Sequence, residues 1–552
     1  MELSQIFTAN PLHQRPRRKF LKEELNHLTS HDQALFEQFG QGPIVTPAYS
    51  FIHHAIEDYA FRLPNTIACI YEGESITYKE LNDSAEKVAQ LLTLHGVQSG
   101  DRIALFLQRS IPMVIGILGI LKVGAAYVPQ DSRITPKTQL AHVLKMTDAK
   151  MVFTLSHLFE TMPDELTQRC IALDDFLKNQ EMLAVSEMDI KRRRLKPDND
   201  DICFVLFTSG TTGMPNGVQV THKNVCNILL TDPGSLGMCP GLKVSQILNI
   251  AFDMAAWEIL GALSHGATLV IRGKDIQATA EKVDIIIATP SILGSINADE
   301  CKNVKFVAVA GEPCPQPLAD RWSEFCTFYN SCGPTEVTIV NTMQDYQGVG
   351  SKLTIGVPTP NNTVYILDEN LKACAIGEIG EMWGGGDCVS AGYLKNDSLT
   401  IERYKPDPFL ANGRMMFRTR DLGRWTADGQ LEHFGRTDDQ VKIRGFRVEL
   451  DAVSGALESV DGCKQAVTLK LDSRNLVAFV RPSTVDIEVA KQMVAVKLPY
   501  YCVPSLVIAV DEFPMSSRGK IDKRALTVAA VKIQEKEIKD LTSSATNPEA
   551  AV

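Results

Sequence analysis

Apolar and polar residues alternate in blocks through most of this 552-residue chain. Between residues 50 and 440, short apolar runs that favour strands are separated by longer amphipathic stretches with helical spacing. The clearest runs are 103–107, 152–155, 268–271, 285–289, 305–310 and 363–367. Strands that alternate with helices predict an α/β fold with mostly parallel sheets flanked by helices.

The pattern changes near residue 435 to a charged, glycine-punctuated stretch, GRTDDQVKIRGFRVEL at 435–450, and a smaller mixed pattern follows. We therefore predict a large N-terminal subdomain at 46–437 and a small, mobile α+β subdomain at 438–530. Residues 1–45 form a polar, linker-like segment with a Gly/Pro end. Residues 531–552 are charged and then rich in Ser, Ala and Asn, which predicts a disordered tail.

The composition is that of an ordinary globular protein, with 44% hydrophobic and 22% charged residues. A net charge of −10 argues against nucleic acid or an anionic membrane as a partner, because both require a basic face. The apolar run 111–121 is too short to span a bilayer and predicts a buried helix. The 13 cysteines show no CxxC pair and no metal-ligand spacing, which predicts reduced thiols and a cytoplasmic location.

The most informative stretch is LFTSGTTGMPNGVQV at 206–220, where a strand-forming apolar run leads into a loop of hydroxyl residues and glycines. Glycines let the backbone approach a ligand closely, and hydroxyl groups can donate hydrogen bonds to anionic oxygens. The loop lacks the GK[ST] of a Walker A motif and still suits a polyphosphate. Its candidate ligand-binding residues are Thr208, Ser209, Gly210, Thr211, Thr212 and Gly213.

This loop resembles the phosphate-binding signature TSGTTGxPKG of the adenylate-forming superfamily, with Asn216 in place of the lysine. Six further stretches resemble motifs of the same family and occur in the family's order. They are LKVGAAYVPQD at 121–131, NSCGPTEVT at 330–338, GEIGEMWGGGDCVSAGYL at 377–394, FRTRDLGRW at 417–425, GRTDDQVKIRGFRVEL at 435–450 and SSRGKIDKRAL at 516–526. The chain thus resembles the adenylation domains of nonribosomal peptide synthetases.

The resemblance implies that ATP and Mg²⁺ activate an amino acid as its aminoacyl-adenylate, with release of pyrophosphate. The acyl group then passes to the phosphopantetheine thiol of a carrier domain. No carrier signature follows Leu526, so the resemblance places the carrier in trans or in a longer parent chain. The expected partners are therefore an amino acid and a carrier domain.

The resemblance also assigns roles to individual residues. Glu336 matches the magnesium ligand, and Thr335 matches the hydroxyl that contacts the α-phosphate. Lys520 matches the mobile lysine that binds the substrate carboxylate, and with Thr335 and Glu336 it completes the catalytic set. Asp438 matches the hinge. Besides the phosphate loop, the implied nucleotide-binding residues are Asn330, Ser331, Cys332, Thr335, Asp421 for the ribose hydroxyls, Arg436 beside it, and Lys520.

Two further positions depart from the family form. Cys332 stands where an aromatic residue often stacks on adenine, and a thiol supplies less π contact. Arg420 replaces the usual glycine before Asp421, which costs strain if that position requires a positive φ.

The resemblance places the amino-acid pocket on the stretch FDMAAWEIL and on later strands. Asp253 matches the aspartate that pairs with the substrate α-ammonium, although a helix N-cap is the alternative role for it. Small residues at the far end leave room for a bulky, neutral side chain. The matched wall positions are Met254, Trp257, Ile287, Ala308, Ala310, Ser331, Ile339 and Val340, closed by Lys520.

Two rival functions remain open. An acyl- or aryl-CoA ligase belongs to the same superfamily, but its substrate has no ammonium group to pair with Asp253. An inactive nucleotide-binding module is suggested by Asn216, Cys332 and Arg420. The retained charged residues of the motifs argue against this second alternative.

Overall fold

The structure is a computed structural model that describes residues 18–162, 169–179, 201–210, 214–410, 413–515 and 521–545. The chain divides into two compact units. The first unit contains residues 1–133, 143–208 and 216–438, and the second contains 134–142, 209–215 and 439–552. The division after Asp438 lies beside the boundary predicted from the sequence. The two short pieces 134–142 and 209–215, however, group with the second unit and not with the large subdomain to which the sequence analysis assigns them.

The secondary structure of the described residues alternates between strands and helices through the first unit. The strands are β1 Ile67–Tyr71, β2 Glu74–Thr77, β3 Arg102–Leu107, β4 Ala126–Asp131, β5 Met151–Thr154, β6 Cys170–Ala172, β7 Ile202–Thr208, β8 Asn216–Thr221, β9 Lys243–Gln246, β10 Thr268–Ile271, β11 Ile285–Ala288, β12 Phe306–Val309, β13 Thr327–Cys332, β14 Thr342–Tyr346, β15 Val357–Pro358, β16 Asn362–Leu367, β17 Gly380–Gly386, β18 Tyr404–Pro406, β19 Met415–Trp425, β20 Leu431–Arg436, β21 Gln440–Ile443, β22 Phe446–Glu449, β23 Gln465–Lys470, β24 Leu476–Arg481 and β25 Leu506–Ala509. The α-helices are α1 Ser30–Phe39, α2 Ile52–Arg62, α3 Tyr78–Leu94, α4 Ile111–Lys122, α5 Lys137–Thr147, α6 Leu173–Lys178, α7 His222–Leu229, α8 Met254–Ser264, α9 Gln277–Ala280, α10 Pro290–Leu293, α11 Gln316–Ser323, α12 Asp397–Arg403, α13 Leu450–Glu458, α14 Ile487–Lys497 and α15 Lys523–Ala545.

Three sheets form the first unit. The largest has the strand order β15-β14-β13-β12-β11-β9-β10-β1-β2, and the next has the order β6-β5-β3-β4-β7-β8. Both are parallel at their centres and antiparallel only toward their ends, as in the β13/β14 and β7/β8 pairs. The third sheet, β16-β17-β19-β18 with β20 paired to β19, is antiparallel. The predicted α/β class with mostly parallel sheets in the large unit is confirmed.

Helix α4 shows how the sequence builds the core between the sheets. Ser110 caps its start by accepting a hydrogen bond from the Met113 amide at 3.2 Å. The helix is buried along its whole length, including Lys122 at its end, whose ammonium group pairs with Glu57 at 2.6 Å and Glu86 at 3.3 Å. The prediction that the apolar run 111–121 forms a buried helix is confirmed. No helix in the described parts of the chain is both long and apolar enough to cross a membrane.

The segment before residue 45 is part of the core of the first unit. Phe36 of α1 is fully buried and stacks on Tyr365 of β16, with ring centroids 5.8 Å apart. Phe20 contacts both rings edge-on, and Phe409 completes the cluster. The described part of the segment that the sequence analysis interprets as linker-like therefore packs as an integral layer on the antiparallel sheet.

The second unit has its own apolar core. The hairpin β21–β22 leads into α13, and β23, β24 and β25 form a separate three-stranded sheet. Val453, Leu457, Ala478 and Val494 are among its buried residues. Helix α15 continues to Ala545, whereas the sequence predicts a disordered tail from residue 531. Residues 546–552 lie outside the described residues.

All 13 cysteines are free thiols. Most are buried or half-buried, and burial raises the pKa of several thiols, to about 12 for Cys226 and Cys502. Such thiols are poor nucleophiles at neutral pH. The predicted reduced state agrees with this arrangement.

Candidate active site

The predicted side-chain pocket lies where three parallel strands end side by side. Ile287 of β11 is in register with Ala308 of β12, and Ala308 is in register with Tyr329 of β13. Residues in register on neighbouring parallel strands point to the same face, and every second residue does so along each strand. Ala310 and Ser331 therefore share the face of Ile287 and Ala308. The structure brings these four predicted wall positions together.

Helix α8 supplies the opposite wall. It packs against β9, β10 and β11, and its Trp257 is fully buried and donates from Nε1 to the Gly234 carbonyl at 2.7 Å. Gly311, which follows Ala310, has φ 85°, and a Cβ added there would lie 3.8 Å from the Met254 sulfur. The start of α8 therefore lies beside the end of β12.

Asp253 precedes the first residue of α8, and its backbone is helical, with φ −64° and ψ −32°. Its side chain accepts no hydrogen bond from the first turn of the helix. An aspartate N-cap normally has an extended backbone and accepts such a bond. The helix-cap alternative for Asp253 is therefore not what the structure shows, and Asp253 is half-buried immediately before the buried Met254.

The loop after β13 closes the pocket with strained, buried residues. Thr338 and Ile339 have φ values of 57° and 70°, which β-branched residues rarely adopt. Ile339 and Val340 are buried, and the Thr338 hydroxyl holds the loop by donating to the Cys388 carbonyl at 2.7 Å. Ser331 is buried with its hydroxyl oxygen free of any hydrogen bond to the described residues.

A second pocket lies between this loop and the antiparallel sheet. Cys332 lines it, at the position where the resemblance expects the adenine ring. The side-chain amide of Asn330 donates from Nδ2 to the Thr354 carbonyl at 2.6 Å. The full lining is Cys332, Gly333, Pro334, Asn341, Thr342, Ile355, Val364, Met382, Trp383, Gly384, Thr419 and Asp421. The lining combines apolar walls with one carboxylate, that of Asp421.

Asp421 and Arg436 meet at one edge of this pocket. They are paired in the β19/β20 ladder, and Arg436 Nη1 donates to Asp421 Oδ1 at 2.8 Å. The Thr419 hydroxyl accepts a hydrogen bond from the Asp421 amide at 3.0 Å, and His433 Nε2 lies 3.4 Å from the same carboxylate. The carboxylate predicted to bind ribose is thus fixed from two sides. His433 was missed by sequence reasoning because it belongs to none of the recognised motif positions.

Glu336 is fully buried in the short 3-10 helix Thr335–Val337. Its carboxylate accepts a hydrogen bond from the Tyr393 hydroxyl at 2.6 Å, and its carbonyl accepts one from the Ser390 amide at 2.9 Å. The described residues contain no group of three or more His, Cys, Asp or Glu side chains that could hold a metal. One carboxylate fits Mg²⁺, because that ion commonly takes its other ligands from phosphates and water.

The phosphate loop begins at the end of β7. Thr208 pairs with Asn216 of β8, so the loop turns between two antiparallel strands. The Asn216 side chain accepts a hydrogen bond from Asn396, which caps α12, at 3.0 Å. Ser209 and Gly210 follow Thr208, whereas Thr211, Thr212, Gly213 and Lys520 lie outside the described residues.

Comparison with known proteins assigns the chain to a family. Residues 56–394, more than half of the chain, match the family model described as AMP-binding enzyme. The chain belongs to this family of AMP-binding enzymes. It is therefore an ATP-dependent adenylating enzyme.

Curated relatives refine this placement. The chain is 44% identical over 518 residues to adenylate-forming reductase 06235 of Coprinopsis cinerea, covering 93% of this chain and 50% of that protein. It is 31% identical over 501 residues to gramicidin S synthase 1 of Brevibacillus brevis, covering 87% of this chain and 44% of that protein. The chain thus spans about half the length of these relatives.

Solved structures share the fold. An artificially fused adenylation–PCP di-domain from Klebsiella oxytoca, NpsA-ThdA, superposes with a TM-score of 0.75 at 23% identity, covering 83% of this chain and 94% of that one. The fold and the predicted resemblance to adenylation domains are confirmed. The roles of individual site residues stay predictions.

For two residues of this AMP-binding enzyme the structure adds what its sequence left open. Tyr393 lies inside the motif GEIGEMWGGGDCVSAGYL, but only the structure shows that it holds Glu336. Arg420 has φ 63°, so the position before Asp421 does adopt the conformation that favours glycine.

Proposed function

We propose that the chain activates an α-amino acid with a bulky, uncharged side chain and passes it to the thiol of a phosphopantetheine-bearing carrier domain. The observation that carries this proposal is Asp253. Its carboxylate is half-buried at the pocket and is not used to cap α8. A carboxylate in apolar surroundings favours a cationic partner, and the α-ammonium of an amino acid is a cation of the right size.

The size of the substrate follows from the strand ends. Ala308, Ala310 and Ser331 are small residues on one sheet face, and in this proposal they leave room at the far end of the pocket. Ile339 and Val340 supply apolar surface and no charge. An aromatic or acylated side chain suits this space.

In the first half-reaction, a substrate carboxylate oxygen attacks the α-phosphorus of ATP, and the bond from that phosphorus to pyrophosphate breaks. Two anions must approach each other, so cationic and hydrogen-bonding groups are required around them. In the proposed site Thr335 contacts the α-phosphate, Lys520 bridges carboxylate and phosphate, and Asp421 orients the ribose. Glu336 would hold Mg²⁺, which neutralises phosphate charge when bound.

In the second half-reaction, the thiolate sulfur of phosphopantetheine attacks the acyl carbon. A carbon–sulfur bond forms, and the carbon–oxygen bond to AMP breaks. The carrier lies in trans or in a longer parent chain in this proposal. The free thiols support the predicted cytoplasmic location.

The test compares an amino acid with its des-amino analogue in ATP–pyrophosphate exchange, starting from a broad amino-acid panel. Asp253→Asn is expected to lower activation of the cognate amino acid at least 30-fold, about the loss of one charge-assisted contact, and to leave ATP affinity within about twofold. Asp275→Asn is the matched control, because Asp275 does cap the turn that follows it, accepting from the Gln277 amide at 2.9 Å. Equal turnover of the des-amino acid by the wild type would overturn the amino-acid assignment.

A second function is favoured by the 44% identity to an adenylate-forming reductase. In that case the activated acyl group would proceed to reduction by a domain outside this chain. Such a substrate need not carry an ammonium group, so Asp253→Asn would leave turnover unchanged. The same pyrophosphate-exchange assay therefore separates the two functions, because Asp253→Asn lowers turnover only of a substrate that carries an ammonium group.

A further inference from the structure

Arg420 occupies a backbone conformation that an arginine seldom adopts. Its φ is 63°, in the left-handed region where glycine has no penalty and other L-residues are strained. Strained residues persist where the surrounding structure holds them, and they cluster at functional sites. The contacts of Arg420 therefore indicate which interactions hold it in the strained conformation.

Arg420 makes contacts in two directions. On one side its Nη2 donates to Glu402 at 2.7 Å, and its amide donates to Glu381 at 3.1 Å. On the other side its carbonyl accepts from the Thr437 amide at 2.9 Å, and its Nη1 lies 3.5 Å from Asp438 Oδ2. Arg420 thus binds both of the last two residues of the first unit.

Asp438 is held by a second arginine as well. Arg436 donates to its carboxylate from Nε at 2.7 Å and from Nη2 at 3.0 Å, a bidentate arrangement. The Asp438 and Arg420 side chains are only 19% and 26% exposed, so solvent screens the pair less than it screens an open surface pair. A glycine at position 420 would remove one guanidinium group beside this carboxylate and would keep the bidentate contact from Arg436.

We propose that Arg420 is a positioning residue that anchors Asp438 to the first unit and slows the rearrangement between adenylation and thiol transfer. This inference rests on the proposed function and on the hinge that the family resemblance predicts at Asp438. A change of backbone torsion at Asp438 moves its carboxylate away from the two guanidinium groups. Losing a single partly exposed ion pair typically alters such a barrier by about three- to fivefold.

Three variants separate the side chain from the strained backbone. Arg420→Ala removes the contact with Asp438 and keeps a side chain at the positive φ. Arg420→Gly removes both the contact and the strain, and Arg420→Lys keeps the charge. The matched control is Arg424→Ala in the same strand, because Arg424 pairs with Glu432 at 2.6 Å and not with Asp438.

The first readout is single-turnover kinetics with the most active amino acid of the panel. Pyrophosphate release measures adenylation, and aminoacyl transfer to free pantetheine measures the second step. Arg420→Ala and Arg420→Gly are expected to raise the ratio of transfer to adenylation at least threefold, while Arg420→Lys and Arg424→Ala stay near the wild-type ratio. An unchanged ratio in both Arg420→Ala and Arg420→Gly overturns the proposal.

The second readout needs no substrate. Amide hydrogen exchange in the peptide covering 436–442 is expected to be at least threefold faster in Arg420→Ala and Arg420→Gly than in the wild type or Arg424→Ala. If no amino acid supports adenylate formation by the wild type, the proposed function fails. The amide hydrogen-exchange rates alone then test the inference about Arg420, and equal rates in all variants and the wild type refute it.

Discussion

Removing the Tyr393 hydroxyl tests whether Glu336 is held for metal binding. Tyr393 is 4% exposed and Glu336 is 0% exposed, and the hydroxyl donates to the carboxylate at 2.6 Å. Tyr393→Phe removes this donor and changes little else, because phenylalanine fills nearly the same volume. A buried carboxylate that loses a donor is less well oriented and less well stabilised.

The magnitude follows from the type of contact. A hydrogen bond to a charged group contributes about 1.5–3 kcal/mol, so the free energy of unfolding is expected to fall by about that amount. Loss of a group that orients a metal ligand commonly weakens metal affinity by about 10- to 100-fold. The Mg²⁺ concentration for half-maximal adenylation is therefore expected to rise by about that factor.

Tyr404→Phe is the matched control. Tyr404 is also buried, its ring packs against Tyr393 with centroids 5.7 Å apart, and its hydroxyl bonds to Ser390 at 2.7 Å. It should lose about 0.5–1.5 kcal/mol of stability with an unchanged Mg²⁺ requirement, because Ser390 is neutral. Urea unfolding and Mg²⁺ titration of pyrophosphate release measure the two effects. Equal Mg²⁺ requirements for both variants and the wild type would refute a metal role for Glu336.

Three further changes test other parts of the site and fold. Lys520→Ala should lower the adenylation rate by about 100-fold or more with nearly unchanged ATP affinity, because its charge matters most as charge develops in the transition state; a wild-type rate would remove Lys520 from the mechanism. Ala310→Leu should lower kcat/KM for bulky amino acids through steric overlap and spare small ones, and a preference of the wild type for glycine, aspartate or lysine would contradict the pocket assignment. Phe36→Ala should lower the free energy of unfolding by about 3–5 kcal/mol in urea titration, whereas a loss below about 1 kcal/mol would show that the N-terminal segment is not part of the core.

Local pattern was sufficient for most of the parallel core. The run 268–271 coincides with β10, and the run 285–289 exceeds β11 by one residue. These strands are buried on both faces, so they read as continuous apolar runs bounded by turn residues. The wall positions of the candidate site came from the family resemblance and not from local pattern. Ala310 follows the end of such a strand, and Ile287 and Ala308 lie in the last two residues of β11 and β12.

Contacts between distant parts of the chain could not be read in the same way. Phe36 is one aromatic residue in a mostly polar segment, and its partner Tyr365 lies more than 300 residues further along. Tyr393 and Glu336 are 57 residues apart. No window of hydrophobic periodicity contains both members of such a pair. For this reason the sequence did not show that Phe20 and Phe36, within the segment interpreted as linker-like, belong to the core.

Arg420 combines a departure that the sequence reveals with contacts that only the structure reveals. The family resemblance places an arginine where a glycine is usual before Asp421, and an arginine there is strained if φ is positive. The structure shows that φ is positive and that the side chain reaches Asp438 and Glu402. A non-glycine residue at positive φ is informative when its contacts are known, because those contacts indicate which interaction offsets the backbone strain. Here the side chain pairs with Glu402 on one side and with Asp438, the last residue before the second unit, on the other, so the strained backbone is held within a network of ion pairs at the end of the first unit.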